Sequence, residues 1–157
     1  MSETARLADQ IRRAFDGEAW HGDSVVEILK GVNAKSAAGH PIKNAHSIWE
    51  LVLHIATWDG VTVKRIAGRA VEPSDAENFP PVKDASETAW QKAIENAKHS
   101  HNQLVKAVAS FPDSRLQEQV PGKNEPHHNF FYLFSGIVQH ELYHAGQIAL
   151  LKKAQTR

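Results

Sequence analysis

The sequence predicts an all-α fold, a four-helix bundle with long crossover connections, and three observations carry that expectation. Four long stretches repeat apolar residues every three or four positions. Their ends carry capping and stop residues. No pair of alternating runs joined by a tight turn signals a β-hairpin. Amphipathic helices of this kind bury their apolar stripes against one another, and a bundle is the simplest packing that does so.

The first helix runs from about Glu3 to Asp16, with Leu7, Ile11, Ala14 and Phe15 at helical spacing and Gly17 as its stop. A connection from Trp20 to Ala38 follows. It holds the apolar segment Ser24 to Lys30, closed by Gly31, and reads as one or two short helices. The second long helix opens at Ser47, where Ser47 and Glu50 spell a capping box: the serine oxygen accepts from the third helical amide and the glutamate reaches back. Leu51, His54, Ile55, Trp58 and Ile66 share its inner face, and Gly68 ends it. A polar loop with Pro73, Pro80 and Pro81 comes next. The third helix spans about Ser86 to Ser110, with Trp90, Ile94, Ala97, His101, Leu104 and Val108 in register. Phe111-Pro112 closes it, because the residue before a proline is pushed out of helical geometry. Arg115 to Asn129 reads as loop. The fourth helix runs from about Phe130 to Lys153, with Leu133, Ile137, His140, His144, Ile148 and Leu151 on one stripe.

At 157 residues the chain has the size of one domain, expected to span 1–157. Hydrophobic residues are 41 % and charged residues 23 %, an ordinary globular balance. The absence of cysteine excludes a disulfide framework, a thiolate zinc knot and a protein thiol nucleophile. Eighteen basic residues balance 18 acidic ones, so no nucleic-acid partner is expected. The first residues lack the apolar run of a signal peptide and no stretch is long enough for a membrane span, so the expected compartment is the cytoplasm.

Histidine is the compositional outlier, with ten copies. His140 and His144 stand four apart on a helix, so their imidazoles lie on one face and can converge on one metal with bonds of about 2.0–2.1 Å. They sit on the core stripe, where unpartnered imidazoles are unfavourable and a shared ligand gives both a partner. His54, on the inner face of a second helix, completes a three-nitrogen set; taken alone it fits a hydrogen-bonded core histidine as well. Three protein ligands leave a position open for water or substrate. His140-Glu141-Leu142-Tyr143-His144 also spells H-E-x-x-H, in which Glu141 acts as general base on a metal-bound water. That reading ranks second, since such a helix ordinarily lies beneath a sheet edge. Gln147 is placed to line the open side and Trp58 to wall the pocket. The remaining histidines, 21, 40, 46, 99, 101, 127 and 128, are expected at the surface or at helix starts.

Ser47-Ile-Trp-Glu-Leu-Val-Leu-His54-Ile-Ala-Thr-Trp58 and Gly136-Ile-Val-Gln-His140-Glu-Leu-Tyr-His144-Ala-Gly-Gln-Ile-Ala-Leu-Leu151 resemble the two signature helices of the DinB/YfiT-like superfamily. The resemblance extends from the first helix to Leu151. It implies a bundle with a long crossover, often dimeric, and a divalent ion, nickel or zinc above all, held by His54, His140 and His144. It implies no general-base role for Glu141. Relatives include S-transferases that use low-molecular-weight thiols such as bacillithiol or mycothiol, and a thiol-dependent maleylpyruvate isomerase. The expected function is therefore transfer of a small thiol cosubstrate to an electrophilic small molecule, in a homodimer. A metal-dependent hydrolase and a non-enzymatic, stress-associated metal-binding module are the alternatives.

Overall fold

The computed structural model describes residues 1–155. Seven α-helices account for its regular structure: α1 (Glu3–Asp16), α2 (Val25–Leu29), α3 (Ala34–Ala38), α4 (Ile48–Ile66), α5 (Asp75–Asn78), α6 (Glu87–Ala109) and α7 (Phe130–Ala154). The four long ones are those the periodicity predicts. Each begins where a short polar side chain caps it. Ser2, Ser47, Ser86 and Asn129 accept from the amides of Ala5, Glu50, Ala89 and Tyr132. Ser47 and Glu50 form the expected reciprocal box. Gly68, at φ 82°, takes the left-handed conformation that turns the chain away after α4.

The order of packing departs from the order of the chain. α4 lies against α6 and α7, and α1 lies against the same two helices. α1 and α4 are therefore diagonal, as are α6 and α7, and the two connections that join them cross the bundle. The first crossing carries α2, packed on α7, and α3, packed on α4 and α6. Trp90 of α6 donates its indole N–H to the Val32 carbonyl within that crossing at 2.8 Å, fastening it to the core. The second crossing is not pure loop: it begins with a short 3₁₀ turn, Asp113–Arg115. Asp113 accepts from the amides of Glu3 and Thr4, tying the crossing to the start of α1.

The apolar interior divides in two. One cluster gathers Phe15, Trp49, Ile55, Trp90, Ala97, Ala145 and Ile148. The other gathers Ile11, Leu104, Phe111, Phe130, Phe134 and Ile137. Four buried polar residues of the long helices fall between them. Asp59 and Thr62 follow Ile55 on α4, His101 lies between Ala97 and Leu104 on α6, and Glu141 lies between Ile137 and Ala145 on α7. A polar seam thus crosses the bundle between two apolar layers.

One element was not anticipated. The segment expected as a polar loop after Gly68 contains α5, four residues opened by Ser74 and Glu77 in a capping arrangement. It packs on α4. Among the described residues, no helix is long and apolar enough to cross a membrane.

Candidate metal centre

His54 projects from the middle of α4, and His140 and His144 project from α7 one turn apart. Because those helices pack side by side, one nitrogen from each ring lies within 4.8 Å of the others. Ring centroids are 4.9 Å apart for His54 and His140, 4.6 Å for His54 and His144, and 4.5 Å for His140 and His144. Nε2 of His54 faces Nε2 of His140 at 2.9 Å.

Two of the rings are held by their other nitrogen. Nδ1 of His54 lies 2.8 Å from the Asn78 carbonyl, and Nδ1 of His144 lies 2.6 Å from the Gln147 amide oxygen. Oxygens of this type only accept, so each Nδ1 carries the proton and each Nε2 presents a lone pair to the centre. This is the arrangement in which ligating histidines are oriented by a partner behind them. Burial lowers the pKa of all three rings. His140 is pushed down to about 3, by burial and then by the charges that His144 and His54 would carry. All three are therefore neutral near pH 7, the form that ligates. The lone pair on Nε2 of His54 faces Nε2 of His140 at 2.9 Å, so either a proton on His140 or a shared cation lies between them. Bonds of about 2.0–2.1 Å to one ion span that separation, so the donor set fits a divalent metal.

The surroundings restrict access to one side. Phe79, just past α5, stacks on the His54 ring at 4.1 Å, and its other face is covered by His46 at 3.8 Å. Trp58 approaches His140 edge-on, with ring centroids 6.1 Å apart, and donates its indole N–H to the Asn78 side chain at 2.8 Å. Asn78 thus holds His54 with its backbone and Trp58 with its side chain. His140 and Trp58 line a cleft of about 280 Å³ together with His128, Tyr132, Leu133 and Ile137. Arg65 and Lys123 also reach this cleft, and both contact Glu72 at 2.9 Å. His128 holds Glu125 through Nδ1 at 2.7 Å.

The other residues singled out by sequence take clear places. Gln147 buttresses His144 and lines a separate hollow with Ile42 and His46. Glu141 has no exposed surface, does not line the cleft beside His140, and sets Oε1 3.1 Å from Nδ1 of His101. It is turned into the seam, not toward water in the cleft, so it lacks the position a general base needs. His101 corrects the surface expectation outright. It is 1 % exposed, stacked on Phe15 at 4.1 Å, and flanked by Asp59 and Glu141. Burial opposes its charge, but the two carboxylates prevail and push its pKa up to about 9. His46 and His128 stand at the margins of the site. His21, His40, His99 and His127 are exposed, as expected.

What the periodicity missed is the support: Asn78, Phe79 and the cleft histidine His128. The box Ser74-x-x-Glu77 was the one local sign of α5. No curated protein and no solved structure matches the chain. A model of the DinB superfamily matches residues 19–148, a span that takes in α4, α6 and the three histidines. With most of its length and all three histidines inside that match, the chain belongs to the DinB superfamily.

Proposed function

We propose that His54, His140 and His144 hold one divalent ion, nickel or zinc, and that the chain uses it to transfer a low-molecular-weight thiol to an electrophilic small molecule. The observation that carries this reading is the tethering of Nδ1 on His54 and His144, which leaves their Nε2 atoms converging with His140 beside an open cleft. When bound, a divalent ion with an open position lowers the pKa of a small thiol toward the nucleophilic thiolate. The chain has no cysteine, so the reacting sulfur comes from the cosubstrate.

The protein's own part is to position and to exclude water. Trp58, Leu133 and Ile137 offer apolar walls to an electrophile. Arg65 and Lys123 share one Glu72, which leaves net positive charge for an anionic group of thiol or acceptor. His128, oriented by Glu125, is the basic side chain available in the cleft to take the thiol proton. Glu141 faces His101, so hydrolysis with that residue as base finds no support. We place the protein in the cytoplasm as a homodimer, with a small-molecule substrate and no nucleic-acid partner.

The test is conjugation of a small thiol to monochlorobimane by zinc- or nickel-loaded protein, beside His144→Ala and His128→Gln. Loaded wild type should exceed the thiol-only rate, His144→Ala should fall to it, and His128→Gln should fall by about 10²-fold. A wild-type rate equal to the thiol alone for several small thiols sinks the transfer reading. Metal retained in that result would leave a binding module.

A further inference from the structure

The polar seam contains a second set of titratable side chains that the function above does not use. Asp59 comes from α4, His101 from α6 and Glu141 from α7, and all three are buried. One donor atom from each lies within 4.8 Å of the other two. Nδ1 of His101 is 3.1 Å from Oε1 of Glu141 and 3.4 Å from Oδ2 of Asp59.

Such separations suit an ion pair, and they equally suit neighbouring ligands on one cation. Direction separates the two cases. Neither contact is aligned as a hydrogen bond: Nδ1 of His101, Oδ2 of Asp59 and both oxygens of Glu141 are buried without any hydrogen-bond partner. The hydroxyl of Thr62, one turn beyond Asp59 on α4, is also buried and unpartnered. Among the described residues, only the Gln155 amide nitrogen joins Asp59, Thr62, His101 and Glu141 as a buried side-chain atom without a partner. The unsatisfied polarity of the protein is thus concentrated at one point in the bundle, and buried polar groups are ordinarily satisfied.

Charge points the same way. Without a cation, two carboxyl groups and one imidazolium reach neutrality between apolar layers only by holding an extra proton. Two carboxylates, a neutral imidazole and a divalent cation sum to zero, and buried carboxylates are characteristically paired or bound to metal. Phe15 covers the His101 ring at 4.1 Å, so the site is closed to solvent on that side.

We infer that Asp59, His101 and Glu141, with Thr62 at their edge, form a second divalent-cation site, separate from the three-histidine centre. One nitrogen and two carboxylates suit manganese, iron or zinc. Magnesium, which keeps several waters, and calcium, which takes six to eight oxygens, do not suit a closed seam. Because the ligands have at most 1 % exposure, the ion enters as the bundle forms and exchanges far more slowly than an ion beside the cleft.

The test counts metal in the full-length chain, unfolded with chelator, refolded with excess zinc, desalted and measured by plasma mass spectrometry. Wild type should hold two ions per chain, one removed quickly by chelator and one retained until the protein unfolds. His144→Ala should lose the fast ion and keep the retained one. Asp59→Asn and Glu141→Gln, both nearly isosteric, should lose the retained ion and keep the fast one, with circular dichroism showing the helices intact. If one of these two does not fold, the other decides. Absence of a retained ion from wild type overturns the inference, as does its persistence in the folded carboxamide variants. A retained ion with no fast ion would uphold this site and refute the three-histidine reading instead.

Discussion

The three histidines and the Asp59–His101–Glu141 group are built from almost the same backbone. Glu141 follows His140 directly, and Asp59 lies five residues beyond His54 on the same helix. One group lies beside an open cleft, has two of its three rings oriented by acceptors behind them, and is made neutral by burial and mutual repulsion. The other is closed, its contacting atoms have no hydrogen-bond partner, and in metal-free protein its histidine is held charged by the carboxylates beside it. A rotation of about 100° along α7 separates the two environments. The comparison shows that chemical role in a bundle is set less by residue type than by which neighbouring helix, or which crossing segment, a position faces.

The strongest way to break this contrast is to remove His101. His101→Leu leaves two buried carboxylates without their cation and should destabilise the fold by about 3–5 kcal/mol, read from urea unfolding. Asp59→Leu and Glu141→Leu added to it should restore much of that loss, since a packed apolar replacement of a buried ion cluster is often neutral or better. Failure of the single variant to destabilise would mean that the seam is not electrostatically coupled. At the open centre, Gln147→Leu removes the acceptor behind His144 and should weaken metal binding by about 10–100-fold with the fold intact. Isothermal titration checks it, and unchanged affinity would show that Gln147 does not orient the ring.

The two groups should also respond oppositely to pH in metal-free protein. Burial, helped by Asp59, pushes Glu141 up to about 7 from an ordinary 4.5. His101 rises to about 9 from 6.5. In both cases the folded chain keeps a proton that the unfolded chain has released, so their contribution is whole at low pH and declines as pH rises through these windows. His140 is lowered from 6.5 to about 3. The unfolded chain then gains a proton that the folded chain refuses, and stability declines as pH falls below 6.5. Of the two groups only the seam responds above 6.5, so the stability of the metal-free protein should fall as pH rises through that range. Urea midpoints across pH check this, and a midpoint that rises from pH 7 to 9 would contradict it. The smallest effect expected is that of Asn78→Ala, which removes the Trp58 hydrogen bond for about 1 kcal/mol while the backbone carbonyl still holds His54.

The long helices were legible because their periodicity and caps are local, and so was the meeting of His54, His140 and His144 between two facing stripes. The support of His54 was not. A backbone carbonyl has no residue-type signature, and Asn78 reaches His54 only because α5 folds back on α4. His101 shows a different limit. It sits in register between Ala97 and Leu104, yet it was grouped with the histidines expected at the surface. Its real neighbours come from α4 and α7, and no pattern within one helix reveals a pairing across three. The H-E-x-x-H spelling likewise describes a helix face but not what that face meets, which for Glu141 is His101.

The hydrogen bond from His54 to the Asn78 carbonyl has an evolutionary consequence. A main-chain oxygen is supplied by any residue, so no missense change at position 78 deletes that acceptor, whereas a single change at position 147 deletes the one behind His144. Across descendants of this chain, position 78 is then free to drift as far as Trp58 and the turn of α5 permit, while position 147 is confined to side chains that accept a hydrogen bond. The same mechanical task is inherited securely on one helix and precariously on the other.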